Sequence, residues 1–533
     1  MTSAAAQSTV VSSSDSATPS LSLQEATSAS TTKWQDDLHD LFVNARHRFP
    51  DVIWTTSNPE TGDETDEVSG HKAIVYARAP PSFQNRYFQS QHRSYPNQSD
   101  AYLAGDASVT SLNGPDNYNG SLNNRSPSPV IQGSVMRLET DINPALFAHE
   151  LEYLYTGRGF GEAFEFLFDT SGDSRMDEET GNDGPEFVDG DDARIDKLRK
   201  DLVFMWRSRL YSDVKIALTG TFSSANHEST TAIFSSHRFI LVSRCGYFHD
   251  ALIAWPGAKL SKAKAANNAA GDVDNDPEAT VLTLTLPSPP FTPASLHFIL
   301  GYIYTGTLIF SHRSYDLDTA FAIYRSSTYL SLAALTNEIQ ARIVQEMLHG
   351  LFHAFLSFAQ YEDITQGQWG DAGGCRCRQC ARRAPRVLEF ALALQEEGNP
   401  KNEILDRGAR RALVGLYGEG WCTSEFAGLE KRLKESIVKG LAKRTTPLNV
   451  FRMLWAAEAA LQRVGRTTEK DKWASEARIW ILAGRKGIDE CLANRAQECF
   501  DADVEGTDIY LAPWVILNPD LCAIRRMERS YGE

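Results

Sequence analysis

The chain has 533 residues, 42% of them hydrophobic and 10% aromatic, with 53 basic against 69 acidic side chains and a net charge of −16. At roughly 100–200 residues per domain, three or four domains are expected. The acidic balance argues against a protein that holds nucleic acid mainly by neutralising phosphates, and favours protein partners.

The first 32 residues contain sixteen Ser or Thr and no Lys or Arg. They lack the basic start and apolar run of a secretory signal and the arginines of a mitochondrial presequence. So few apolar groups cannot offset the entropy of ordering, so 1–32 is expected to be a disordered tail. No run of about 18 apolar residues occurs anywhere, which excludes an obvious membrane-spanning helix. The eight cysteines show no paired framework. Reduced thiols in a cytoplasmic and/or nuclear protein are expected.

From residue 36 a pattern begins that recurs from residue 198. Residues 38–54 read LHDLFVNARHRFPDVIW and residues 198–216 read LRKDLVFMWRSRLYSDVKI, each a short helical pattern running into Asp-Val (Asp51, Asp213) and a strand. His71 and His237 each open an apolar helix that ends in an arginine, Arg78 or Arg244, with an aromatic beyond. A strand and a helix follow, the helix closing on Tyr155-Thr-Gly157 in one case and Tyr304-Thr-Gly306 in the other. Gly157 and Gly306 suit helix C-caps, where positive φ is needed. Tyr155 and Tyr304 suit core aromatics that keep a hydroxyl partner. The two histidines read as hydrogen-bonded core or capping residues, not as catalysts.

The first copy, 36–168, carries a low-complexity insertion at 89–133, in which Ser126-Pro127-Ser128-Pro129 is a candidate for proline-directed phosphorylation. Only Gly161–Phe168 suggests a helix after Gly157. An acidic linker spans 169–192, and between Asp169 and Asp196 eleven carboxylates face two arginines. The second copy, 198–342, has a loop insertion at 257–279 and a closing helical pair at 320–324 and 329–335.

This motif set resembles the BTB/POZ domain, whose pattern has an aspartate-valine at the first strand, H-[KR]-x-[IV]-[LV]-x-x-x-S-x-x-F at the early helix and Y-x-Y-T-G at a later helix end. The expected fold class is α+β: two BTB/POZ domains (α/β, helix-rich) in tandem, then an all-α C-terminal domain at 343–533. The resemblance implies a non-enzymatic adaptor or scaffold whose partners are proteins. It also implies oligomerisation through an apolar helical face, either as intramolecular pairing of the two copies or as a homodimer. An alternative it implies is a substrate receptor of a cullin-3 ubiquitin ligase. The hydrophobic-x-Glu element common in such adaptors is missing, since 251–257 reads ALIAWPG and 86–92 reads RYFQSQH.

In 343–533, Val387, Leu388, Ala391 and Leu394 recur at helical spacing, as do Leu448, Phe451, Leu454, Trp455 and Ala459. By position alone this region resembles the BACK-type extension of adaptor proteins. One cluster carries chemistry: Cys375, Cys377 and Cys380 put three thiols within six residues on a Gly-preceded loop. Three thiolates need a fourth ligand to close a tetrahedral zinc site. His349 and His353, read as one helical turn apart on the preceding helix, are the candidates, and a structural zinc is the candidate cofactor. Ordinary free cysteines and redox-active thiols are the competing readings. Arg376, Arg378, Arg382, Arg383 and Arg386 crowd the same loop, and a nuclear regulator touching nucleic acid through this Cys/Arg loop is a further alternative. No phosphate-binding loop, dinucleotide fingerprint, nucleophile elbow or H-E-x-x-H motif is found, so no enzyme is expected.

Overall fold

Val52 and Trp54 alternate with partly exposed neighbours, the period of a strand with one face in a core. In the computed structural model they lie in β1 (Val52–Ser57), which pairs antiparallel with β2 (Thr65–Gly70) and parallel with β3 (Met136–Thr140). The structure describes residues 22–57, 65–79, 135–140, 142–159, 190–222, 230–254, 260–261, 282–309, 316–369, 372–466 and 472–499. The insertion at 89–133, Gly161–Phe168, nearly all of 257–279, most of the acidic linker and Cys522 lie outside these residues.

The described chain is mostly helical with two small mixed sheets, an α+β composition. It divides into two compact units, one spanning 27–339 and the other comprising 1–26 with 340–533. No described helix is long and apolar enough to cross a membrane.

In the 27–339 unit one order of elements occurs twice. The first run is α1 (Leu23–Val43), β1, β2, α2 (Lys72–Arg78), β3 and α3 (Pro144–Thr156). The second is α4 (Gly190–Arg207), β4 (Val214–Gly220), β5 (Thr230–Ser236), α5 (Arg238–Arg244), β7 (Leu282–Leu286) and α6 (Pro293–Thr305), with a two-residue strand β6 (Leu260–Ser261) added at the sheet edge. The registers correspond. Val52 pairs with Gly70 just before His71, and Val214 pairs with Ser236 just before His237. The sheets differ where one large side chain forces it. A Cβ on Gly70 would come within 2.7 Å of Trp54, whereas copy two has Ile216 at the matching position and accepts Ser236. Two further helices, α7 (Leu317–Tyr329) and α8 (Ala333–Arg342), follow the second run.

The leading helix corrects the reading of the N-terminus. Residues 22–32 do not continue a disordered tail: α1 begins at Leu23, and Ala26, Ser30, Trp34, Leu38 and Leu41 are buried along it at helical spacing. Likewise α4 begins at Gly190, inside the stretch read as linker.

The described residues of 340–533 form helices joined by turns and loops, with no strand among them. The stripe expected on α10 (Arg378–Glu396) is buried as read, with Val387, Leu388, Ala391 and Leu394 inside. It packs along α11 (Glu403–Gly415), below a short helix α9 (Phe358–Thr365) in chain order. After α12 (Ser424–Gly428) come α13 (Lys431–Arg444), α14 (Val450–Gly465) and α15 (Lys472–Asn494). On α14 the stripe differs from the expected one. Phe451 and Leu454 are buried together with Val450, Ala457, Ala460 and Val464, while Leu448 precedes the helix and Trp455 faces outward.

Candidate metal centre and paired motif residues

The repeated motif residues build two matching buried networks. Asp51 Oδ1 accepts from the Lys72 amide at 2.7 Å, and Asp213 Oδ1 accepts from the Arg238 amide at 2.8 Å, so each aspartate anchors the first turn of the helix after the histidine. His71 Nε2 donates to the Arg48 carbonyl at 2.7 Å and His237 Nε2 to the Leu210 carbonyl at 2.6 Å. A carbonyl only accepts, so Nε2 carries the proton in each ring. The other nitrogen, Nδ1, then accepts from the tyrosine hydroxyl, Tyr155 at 2.6 Å and Tyr304 at 2.7 Å. The same hydroxyls accept the amides of His71 and His237. Burial lowers His71 to about 4 and lowers His237 as well, and it raises both tyrosines. Both rings are therefore neutral, fully bonded and closed to solvent, as core residues are. Gly157 and Gly306 adopt φ of 69° and 74° at the ends of α3 and α6. Their amides bond back to the Tyr153 and Tyr302 carbonyls at 2.8 Å.

These networks meet. The His71 ring stacks on Phe239 with centroids 4.1 Å apart, and the Arg238 guanidinium lies 4.4 Å from the Phe49 ring centroid. Each leading helix also reaches the other copy. Arg78, at the end of α2, pairs with Asp201 of α4 at 3.1 Å, and Arg244, at the end of α5, pairs with Asp37 of α1. Trp34 of α1 donates to the Tyr304 carbonyl at 3.1 Å and lies against Gly306, while Leu198 of α4 lies against Gly157. Sequence reasoning missed Asp37 and Asp201. The signal was present, since both copies have Asp-Leu in the leading helix, at 37–38 and 201–202. The connection from helix to strand differs in length between copies, so aligning on Asp51 and Asp213 throws these aspartates out of step.

The thiol cluster lies in the other unit. Cys377 caps α10 and its sulfur accepts from the Cys380 amide at 3.4 Å, which turns Cys377 and Cys380 toward one point. Gly373 lets the preceding loop approach closely, because a Cβ there would lie 2.1 Å from the Trp369 carbonyl oxygen. His349 Nδ1 stands 3.2 Å from Cys375 Sγ, 3.5 Å from Cys380 Sγ and 3.7 Å from Cys377 Sγ. All four ligand atoms lie within 4.8 Å of one another. With metal–sulfur near 2.3 Å and metal–nitrogen near 2.05 Å, the edge of a tetrahedral site is about 3.5 Å, and the three histidine–sulfur distances bracket that length. Burial alone would raise the Cys377 thiol, but the Cys380 amide and the neighbouring thiols outweigh it and bring Cys377 to about 7. Burial and those same neighbours push Cys380 up.

His353 is not in the cluster. The expected helix across 349–353 does not form. His349, Gly350, Leu351, Phe352 and His353 have φ of 48°, 94°, 40°, 51° and 51°, a left-handed turn that points the two histidines in different directions. The His353 ring lies 6.2 Å from Tyr361 and its carbonyl accepts from Arg411 Nη1 at 3.0 Å. Left-handed backbone costs about 1–2 kcal/mol per non-glycine residue, so the turn needs external ties. Arg407 supplies one at the Ala354 carbonyl and Arg383 another at the Met347 carbonyl, while Leu351 and Phe352 are buried. Of the loop arginines, Arg382 pairs with Glu425 at 2.7 Å.

No protein-family model matches this sequence, and no curated protein matches it significantly.

Proposed function

We propose that the chain is a non-enzymatic protein-docking scaffold, an adaptor built on two BTB/POZ-like modules that pair within one chain. The observation that supports this most is the reciprocal exchange of leading helices. Arg78–Asp201 and Arg244–Asp37 are equivalent contacts run in opposite directions. The seam is also asymmetric. Phe239 stacks on His71, whereas copy one has the buried Ala73 two residues after its histidine. Two copies of the second module would bring two Phe239 rings to this seam, so the alanine favours partnership between unlike modules of one chain. A pairing face satisfied internally leaves the remaining surfaces to other proteins. Affinity purification of the full chain should retain a protein partner at near-stoichiometric amounts. Retention of none above an unrelated acidic control would overturn the reading. The cullin-3 receptor is the narrower form, tested by pull-down of cullin-3 with the full chain.

The role of the second unit rests on its thiol cluster, to which we assign a structural zinc. Three sulfurs and one imidazole, with the histidine–sulfur distances at tetrahedral edge lengths and all four atoms within 4.8 Å of one another, fit zinc, and four protein ligands leave no open position for a reacting water. The ion would tie the left-handed turn at His349 to the start of α10. Elemental analysis should find about one zinc per chain, lost in Cys380→Ser. A folded, metal-free protein would refute the assignment. Arg382 and Arg383 of the Cys/Arg loop are engaged in internal contacts, which weighs against a nucleic-acid role for that loop.

A further inference from the structure

A cavity of about 530 Å3 opens between α11, α13 and the segment around Phe358 and Trp369. Its lining is basic: Arg407, Arg410, Arg411, Lys439, Lys443 and Arg444 face Asp406 as the single acid. Asp406 is already taken, by Arg410 at 2.8 Å and Lys401 at 3.1 Å. Arg444 is held by Glu362 at 3.0 Å and stacks on Trp369 and Phe358 at 4.5 and 4.7 Å.

Four cations remain without a carboxylate among the described residues. Arg407 bonds only the Ala354 carbonyl. Arg411 bonds the carbonyls of His353 and Leu356 and lies over the Tyr361 ring at 4.3 Å. Lys439 and Lys443 are exposed one helical turn apart on α13 and have no ion pair. Arg411 is the decisive one. It is 3% exposed, and its Nη2 has no hydrogen-bond partner among the described residues. A buried donor left unbonded costs about 1–3 kcal/mol or more when charged, and four like charges around one concavity repel each other. In a chain of net charge −16 such a concentration of uncompensated cations is not a general surface property. Burial and the adjacent Arg407 lower Arg411 to about 10, so it stays charged at neutral pH.

We propose that this cavity binds a small polyphosphorylated anion, held by Arg411 and Arg407 at its inner wall and by Lys439 and Lys443 at its mouth. Guanidinium forks match phosphate oxygens two at a time, and the lysines add point charges for further phosphate groups. The volume is in the range of small-molecule sites.

The test is isothermal titration of the full chain with four probes: inorganic phosphate, tripolyphosphate, ATP and inositol hexakisphosphate. Polyphosphates should bind at least about tenfold tighter than phosphate, with affinity falling as salt rises. Equal binding of tripolyphosphate and ATP would assign recognition to the phosphates alone, tighter ATP binding would assign it to a nucleotide, and tighter inositol hexakisphosphate binding to a phosphorylated ring; all three support the proposal. Lys439→Ala with Lys443→Ala breaks no hydrogen bond or ion pair among the described residues and should weaken binding about tenfold or more, one charge-assisted hydrogen bond's worth. Arg411→Lys, checked for an unchanged melting profile in the absence of ligand, should weaken it further. No heat from any polyphosphate, or binding unaffected by the double lysine variant, would overturn the proposal.

Discussion

Asp37→Asn probes the exchange of leading helices at one of its most buried points. The Arg244 side chain is 2% exposed and its partner Asp37 15%, and Arg244 Nε already donates to the Ile303 carbonyl at 3.2 Å. Asparagine keeps the shape and removes the charge, leaving a guanidinium buried without its counter-ion. Breaking a buried pair in this way costs about 3–5 kcal/mol, whereas loss of an exposed pair costs under about 1 kcal/mol. For a unit of this size each kcal/mol moves the melting temperature by about 2–4 °C, so a fall of about 6–20 °C is expected. Lys33→Ala is the internal control, since Lys33 also contacts Asp37 at 3.3 Å but is 61% exposed, and it should change stability by less than about 1 kcal/mol. Replacing both partners, Asp37→Leu with Arg244→Met, should recover much of the loss. The assay is thermal unfolding followed by circular dichroism, which reads the loss of helix directly. An Asp37→Asn midpoint within error of the parent would refute the idea that α1 is clamped to the second module by this charge.

The remaining predictions concern single positions and pH. Gly306→Ala should be worse than Gly157→Ala: both need left-handed backbone, costing about 1–2 kcal/mol, but a Cβ at 306 would lie 2.6 Å from Trp34 and one at 157 would have 3.7 Å to Leu198. Equal melting temperatures for the two variants would contradict the close packing of Trp34. His349→Ala should abolish zinc binding in elemental analysis, whereas His353→Ala should retain it; the reverse result would exclude the ligand set. Stability should fall as pH drops from 7 to 5, read by urea unfolding at each pH. His71 is lowered to about 4 in the folded chain, so its contribution is complete above the unfolded value of 6.5 and is lost as the unfolded state takes up protons below it. His237 acts in the same sense. Asp51, which burial raises to about 6, opposes them, since its folded form holds a proton that the unfolded form releases above 3.8. Two histidines outweigh one aspartate, and a midpoint that rises on acidification would reverse that ranking.

What was legible in the sequence follows from which interactions are local. His71, Tyr155 and Gly157, with His237, Tyr304 and Gly306, sit at helix ends and strand ends, where spacing marks a position, and in the structure the glycines close α3 and α6 while each histidine bonds its tyrosine. The start of α1 was not legible because its buried positions are small. Ala26 and Ser30 give no hydrophobic period, and Ser30 is fixed by a hydrogen bond to the distant Ala334 carbonyl at 3.4 Å. The thiols were legible as a cluster, but the choice between His349 and His353 as its neighbour depended on backbone handedness. Helical spacing assumes a right-handed turn, and five successive positive φ values at 349–353 void it. The basic cavity was invisible for a different reason. Arg407 and Arg411 are far in sequence from Lys439 and Lys443, and only the packing of α11 near α13 brings them to one wall.

The mass of the intact protein in solution tests the pairing of unlike modules most directly. With each module's pairing face occupied by the other, native mass spectrometry or light scattering at micromolar concentration should give one chain, 59.2 kDa. A stable species of twice that mass, dissociated by Phe239→Glu, would show that the modules pair between chains instead.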